Sequence, residues 1–333
     1  MEELLLEEFR LTERKATLCL ILCSSVFPEL FTGNTPLPRF FHPLVFMFLM
    51  VGYGLFVLVI REAAVRMHAS TTRIVLMGIA YGIVNEGLFA KTLINRHSLP
   101  IQQFTGYAVA MGYNTAWAAA ILVWHGFASV LFPIYFVHYC LPEAAKASWL
   151  KNWQLAALTT AITLFAVSNF VMRRIEGAAG TPAELGLAIL AIIMLVLLAL
   201  KLPGSSLPTR QSSRAQPAML GLSVAIPTVL LVTLAAAKVS PALYFLSFLI
   251  TLIAYNRLMW HKGWVYQPSF LYFAIGWYTQ NAIGSILVIM HDPSLACVTA
   301  AADTVLLVTM YIAVNKSCAR TNNHSTKEKM LTP

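Results

Sequence analysis

The chain has 333 residues, of which 58% are hydrophobic and only 11% charged. Soluble domains are roughly 45–50% apolar and about 25% charged, so a soluble globular fold is excluded. The net charge of +9 is spread over short loops and tails without interleaved aromatics, which argues against nucleic-acid binding and for charge as a determinant of membrane orientation.

The first fifteen residues carry Glu2, Glu3, Glu7, Glu8 and Glu13, too acidic for a secretory signal peptide. Leu4, Leu5, Phe9 and Leu11 fit a short interfacial helix there. Ten apolar stretches follow, over about 16–33, 41–60, 74–91, 114–140, 151–172, 183–202, 217–237, 240–260, 267–290 and 294–314. Most match the ~20 residues that cross a ~30 Å hydrocarbon core. The fourth is long, which implies tilt or a kink near Pro133. The mixed stretch 95–112 reads as an outer lid or a re-entrant segment, which needs protein or water to cover its backbone. The polar residues 316–333 read as a disordered tail.

With these ten stretches as spans, 17 of the 23 Lys and Arg fall on one side and 6 on the other. Cytoplasmic loops are the Lys- and Arg-rich ones, so both termini are expected in the cytoplasm. Arg61, Arg66 and Arg73 read as topology determinants. The expected fold is therefore all-α, a polytopic transmembrane bundle of about ten spans. It comprises a cytoplasmic segment (1–15), a membrane domain (16–315) and a tail (316–333). The lipid bilayer is its expected partner. The cysteines Cys19, Cys23, Cys140, Cys297 and Cys318 form no CxxC, so neither a disulfide framework nor a zinc site is expected; no cofactor or metal is implied.

Ionisable residues inside a span are costly, which makes each a candidate functional position. Glu29, Glu86, His125 and Asp303 are such residues, with Gln280 and Asn281 as neutral companions. At about 1.5 Å per residue, all six fall roughly 10–16 Å beneath the outer surface, in one layer of the outer half. Gly78, Gly82 and Glu86 share one helix face, and small residues at that spacing admit a neighbouring helix. Gly276, Gln280 and Gly284 repeat the pattern. Asn114, Ala118, His125 and Ser129 form a polar stripe, and Ser25 precedes Glu29 by one turn. The pattern predicts one polar pocket between spans 1, 3, 4, 9 and 10. Lys91 lies about 140° around the helix from Glu86, so direct pairing is not expected.

Asn85-Glu86-Gly87-Leu88-Phe89-Ala90-Lys91 resembles the EExxFRG motif of the CAAX-protease and bacteriocin-processing membrane family. Glu86 and Phe89 match; Asn85 replaces the first Glu, Ala90 the Arg. Ile121 and His125 echo that family's FxxxH motif 39 residues beyond Glu86. Its third motif, HxxxN, has no counterpart: no His lies between His138 and His261, and neither is followed by Asn four places on. The resemblance implies intramembrane hydrolysis with Glu86 and His125 catalytic, activating water. The stretches 81–92 and 125–142 also look like bacterial and archaeal multi-pass proteins of unassigned function, which implies a cytoplasmic-membrane location and no chemistry.

No GxSxG, P-loop, dinucleotide fingerprint or HExxH occurs, so those enzyme classes have no support. The leading expectation is binding or transport of a small solute, with Glu86 as coupling carboxylate, His125 as proton partner, and Asp303, Gln280, Asn281 and Glu29 lining the pocket. The alternatives are the hydrolase and a non-catalytic assembly protein.

Overall fold

In hydrocarbon every backbone N–H and C=O must be paired within the structure, so long apolar stretches fold as helices. The computed structural model describes residues 2–95, 97, 99–172, 180–203, 214–264, 268–290 and 292–331. Its long helices are α1 (Glu2–Leu30), α2 (Pro43–Arg66), α3 (Thr71–Ile83), α4 (Thr115–Cys140), α5 (Asn152–Met172), α6 (Pro182–Lys201), α7 (Ala215–Ala236), α8 (Pro241–His261), α9 (Ser269–Ile289) and α10 (Pro293–Leu331). Thr181 starts α6 with a reciprocal capping box to Glu184, satisfying two of the helix's unpaired donors.

Among the described residues seven helices are long and apolar enough to cross a membrane: α2, α4, α5, α6, α7, α8 and α10 up to Ala319. The remaining three, α1, α3 and α9, lie where the first, third and ninth spans are expected; α3 is only 13 residues long, and large parts of α3 and α9 sit inside the bundle. Most of the first half of α9 is buried, as are Glu29 and eight residues of α3. By contrast α6 and α8 expose Leu190, Ile193, Leu197, Leu246 and Leu249, side chains that a lipid environment covers without cost. The last helix runs to Leu331 where disorder was expected from Lys316 onward; no Gly or Pro interrupts residues 294–332, and nothing in that stretch stops a helix.

Glycines set the two closest helix crossings. A Cβ at Gly78 would lie 2.8 Å from the Gly126 Cα, and one at Gly82 would lie 3.0 Å from the His125 Cβ. The glycine face of α3 therefore presses directly on α4, as the spacing predicted. Gly221 of α7 and Gly276 of α9 meet in the same way, each where the other helix's backbone leaves no room for a side chain. Gly284 faces open space.

Three helices widen into a π-helical turn, at Met50–Leu55 in α2, at Val84–Phe89 directly after α3, and at His125–Leu131 in α4. The turn in α4 precedes Pro133, whose missing N–H already breaks the local ladder, so the expected irregularity of this long helix is a widened turn. Buried hydroxyls from other helices reach these turns: Ser25 donates to the Leu49 carbonyl (3.1 Å), Tyr81 to Gly52 (2.8 Å) and Tyr278 to Ala128 (2.7 Å).

The described residues of 95–112 pack across one end of the bundle. Phe104 lies 5.7 Å from the Trp117 ring and 5.9 Å from Tyr244, both within the first turn of their helices. Lys238, in the α7–α8 turn, donates to the carbonyls of Gln103 (3.3 Å) and Thr105 (3.0 Å). The segment closes with a two-stranded hairpin, β1 (Val109–Ala110) and β2 (Tyr113–Asn114). Its turn residues Met111 and Gly112 both have positive φ, the geometry that suits a two-residue hairpin. The segment covers the Trp117 and Tyr244 ends of their helices.

At the other end Arg61 is fully buried instead of marking a loop. Its guanidinium bonds Glu62 (2.6 Å), His138 Nε2 (3.0 Å) and the carbonyls of Ala144 (2.9 Å) and Ala145 (3.0 Å), and lies 3.4 Å from the Trp149 ring centroid. Glu62 also accepts from the Ser148 hydroxyl and the Trp149 and Leu150 amides. The cluster clasps the ends of α2 and α4 to the loop between α4 and α5.

Two outcomes follow for stability, read by thermal or denaturant unfolding of the purified protein. Gly78→Leu should cost about 1–3 kcal/mol or more by forcing α3 from α4, whereas Gly186→Ala, where a Cβ meets nothing within 4 Å, should be neutral or slightly stabilising. Glu62→Ala should cost about 3–5 kcal/mol by stranding the Arg61 charge, and Arg61→Met combined with Glu62→Leu should recover much of that loss.

Candidate functional site

The α3–α4 crossing brings Glu86 and His125 together from 39 residues apart in sequence. His125 Nε2 lies 3.0 Å from Glu86 Oε1, and its Nδ1 lies 2.9 Å from the Ser129 Oγ one turn further along α4. Both Glu86 and His125 sit on widened turns, and both are buried. The turn bearing Glu86 ends at Lys91, whose backbone is left-handed with φ +57°; that reversal folds Thr92 back over the carboxylate. The Thr92 hydroxyl donates to Glu86 Oε2 and accepts from Trp117 Nε1 at 2.9 Å. Asn114 pins the same loop by donating to the carbonyls of Thr92 (2.9 Å) and Asn95 (2.5 Å). Lys91 turns away, its ammonium 2.8 Å from the Phe170 carbonyl and over that ring.

Glu29 belongs to the adjoining half of the cluster. Its Oε1 accepts from the Tyr53 hydroxyl at 2.5 Å, and its Oε2 from the Thr35 hydroxyl (2.5 Å) and the Asn34 amide (3.1 Å). Tyr53 occupies the widened turn of α2, flanked by Gly52 and Gly54. Its ring centroid lies 6.0 Å from that of His125, and Tyr81 packs edge-on to the same imidazole at 5.6 Å. Tyr81 in turn accepts from the Asn85 amide at 2.8 Å. The two carboxylates thus flank one imidazole across a layer of tyrosines, and all four carboxylate oxygens are hydrogen-bonded.

Not every predicted residue joins. Asn281 donates back to the Trp277 carbonyl of its own helix at 2.9 Å, and Gln280 makes no hydrogen bond to the cluster. Ser25 faces α2 instead of Glu29. Asp303 is buried elsewhere, in a small cavity lined also by Thr35 and Thr299. The single pocket expected between five helices is therefore two neighbouring sites, and Asn281 of α9 turns to its own backbone. Tyr53, Tyr81, Thr92 and Trp117 were not anticipated. The available signals were the 81/85 helical spacing of Tyr81 and Asn85 and the need of any buried tyrosine hydroxyl for a partner.

A buried Glu–His pair holds one proton in either of two places, as an ion pair or as a neutral hydrogen bond, and relocating that proton changes the charge on both helices. Ser129, His125 and Glu86 also stand in the order of a nucleophile, base and acid, but Ser129 is fully buried, so a substrate carbonyl has no approach to it. The CAAX-protease likeness stops at Glu86, Phe89 and His125: Asn85 bonds Tyr81, and Phe89 packs on Phe48, Phe56 and Phe165. Among the described residues no group of three or more His, Cys, Asp or Glu side chains forms a candidate metal site.

Tyr81→Phe should destabilise the protein by about 1–3 kcal/mol, since it leaves the Gly52 carbonyl and the Asn85 amide without their buried partner. Thermal unfolding alongside Asn85→Leu, which removes only the amide, checks this.

No curated protein and no solved structure matches this chain. Residues 18–321 match the model of an uncharacterized membrane protein family. That match covers nearly the whole helical bundle, including Glu29, Glu86, His125 and Asp303, and the chain belongs to this uncharacterized family of integral, multi-pass membrane proteins.

Proposed function

We propose that the protein binds a small solute and moves it across its membrane with Glu86 and His125 as the proton-coupling pair. The observation that carries this reading is the buried 3.0 Å contact between Glu86 and His125, made by two widened helix turns. Widened turns of this kind are frequent at functional positions, because the extra residue gives a helix a second way to pack. Protonating the pair removes the ionic attraction between α3 and α4; deprotonating it restores that attraction. A solute that binds better to one packing than the other is thereby coupled to the proton. Glu29, joined to the cluster through Tyr53 and to the loop through Asn34 and Thr35, stands on the path toward the lid end. In this reading α1, α3 and α9 are also spans, giving ten in all. Both termini are then cytoplasmic, in a bacterial or archaeal cytoplasmic membrane, and the lid lies outside.

The test is uptake from a mixed pool of small metabolites into proteoliposomes, with the accumulated solutes identified by mass spectrometry. Wild-type protein should concentrate at least one solute about tenfold under an inward proton gradient, since one pH unit is worth about 1.4 kcal/mol. Glu86→Gln should abolish the accumulation while leaving solute exchange without a gradient. Accumulation that ignores the gradient, or persists in Glu86→Gln, overturns the coupling. The same 3.0 Å contact supports intramembrane hydrolysis, with Glu86 and His125 activating water, as the second reading, and cleavage of a membrane-embedded peptide that Glu86→Gln abolishes would replace transport with it.

A further inference from the structure

The Asp303 cavity is separate from the Glu86–His125 pair and is built differently. Glu29 and Glu86 have every oxygen paired, whereas Asp303 is only 2% exposed and its Oδ2 has no hydrogen-bond partner. Ser285 on α9, 6% exposed, likewise has a buried Oγ without a partner. The Ser285 hydroxyl lies against Gly33, in the place a Cβ there would occupy, and Gly33 with φ +63° forms the turn that lines the cavity. Thr299, one helical turn before Asp303 on α10, lines it too, as does Thr35, whose hydroxyl donates to Glu29. The free interior space is about 10 Å³, room for one species the size of a water molecule.

Electrostatics decide what kind of species fits. Leu30 and Ile289, the last residues of α1 and α9, and Leu295 in the first turn of α10 are all lining residues, so two helix C-termini and one N-terminus meet at the cavity and their partial charges sum to a negative excess. A carboxylate adds a full negative charge, and among the described residues no Lys, Arg or His lines the site. An isolated buried carboxylate carries a penalty of several kcal/mol unless something positive neutralises it. The nearby groups supply oxygen donors only, the ligand type that hard cations take, and helix C-terminal ends serve the same purpose in ion-coupled transporters.

We propose that this cavity is a binding site for one small monovalent cation of the sodium class, held by the Asp303 carboxylate and the hydroxyls of Thr299 and Thr35. The cation neutralises Asp303 and ties α10 to the turn after α1. Through Thr35 it stands one side chain away from Glu29, which places its occupancy in contact with the polar cluster without making it part of the Glu86–His125 pair.

The test is modification of Asp303 by a hydrophobic carbodiimide, which attacks the protonated carboxyl, read by peptide mass spectrometry on the full-length protein at fixed pH. Sodium chloride should slow labelling of Asp303 in a saturable manner, about tenfold at nine times the dissociation constant, while equal choline chloride should not. Thr299→Val should raise the sodium concentration needed for protection. Asp303→Asn should lose the rise in thermal unfolding temperature that sodium gives wild-type protein. Labelling that sodium leaves unchanged at every pH means a proton-only site and overturns the proposal. Equal protection by choline, or protection unchanged in Thr299→Val, overturns it as well. Glu86→Gln should retain sodium protection, so failure of the proton-coupling reading and failure of this one are told apart.

Discussion

The contact between α3 and α4 is the constraint on which the rest of the interior depends. Gly78, Gly82 and Gly126 let the two backbones approach to the distance at which His125 reaches Glu86. Without that approach the carboxylate and the imidazole would each be buried alone, at a cost that neither the Thr92 hydroxyl nor Ser129 could offset. Close glycine packing and buried polarity are therefore one feature: the first makes the second affordable, and the second gives the crossing a unique register.

That register is reinforced by irregular backbone. The three widened turns lie side by side around His125, on α2, after α3 and on α4, and hydroxyls of Ser25, Tyr81 and Tyr278 reach across to their carbonyls. A regular helix hides its own carbonyls and gives neighbours little to recognise. A widened turn exposes one, and a tyrosine from another helix then fixes how the two helices sit. The aromatic layer of Tyr53, Tyr81 and His125 is thus both packing and hydrogen-bond scaffold.

The buried charges divide by how completely they are satisfied. At one end Arg61 and Glu62 hold each other, His138, the backbone of the loop after α4 and a tryptophan face, with every guanidinium nitrogen engaged; such a saturated cluster clamps. In the opposite half the pairing is leaner. Glu86 and His125 share one proton position, and Asp303 and Ser285 keep atoms unpaired. Groups whose partners are few or missing are those whose energy changes most when a proton or cation arrives, which is why the candidate chemistry lies there.

Much of this was legible along the chain. Apolar stretches of membrane length dictate helices because no other backbone arrangement satisfies itself in hydrocarbon, and ionisable residues within them mark Glu29, Glu86, His125 and Asp303 because each is too costly to retain without a use. The helical spacing of Gly78, Gly82 and Glu86 announced a close crossing. Only the tertiary structure decided which helix filled it, that Arg61 turns inward onto the loop after α4, that Asn281 stays with its own helix while Gln280 makes no bond to the cluster, and that Asp303 is divided from Glu86 by Thr35 and Glu29. Periodicity along one helix specifies which side chains share a face. It carries no information on the rotation of neighbouring helices, which is set by glycine contacts and hydroxyl–carbonyl bonds between residues far apart in sequence.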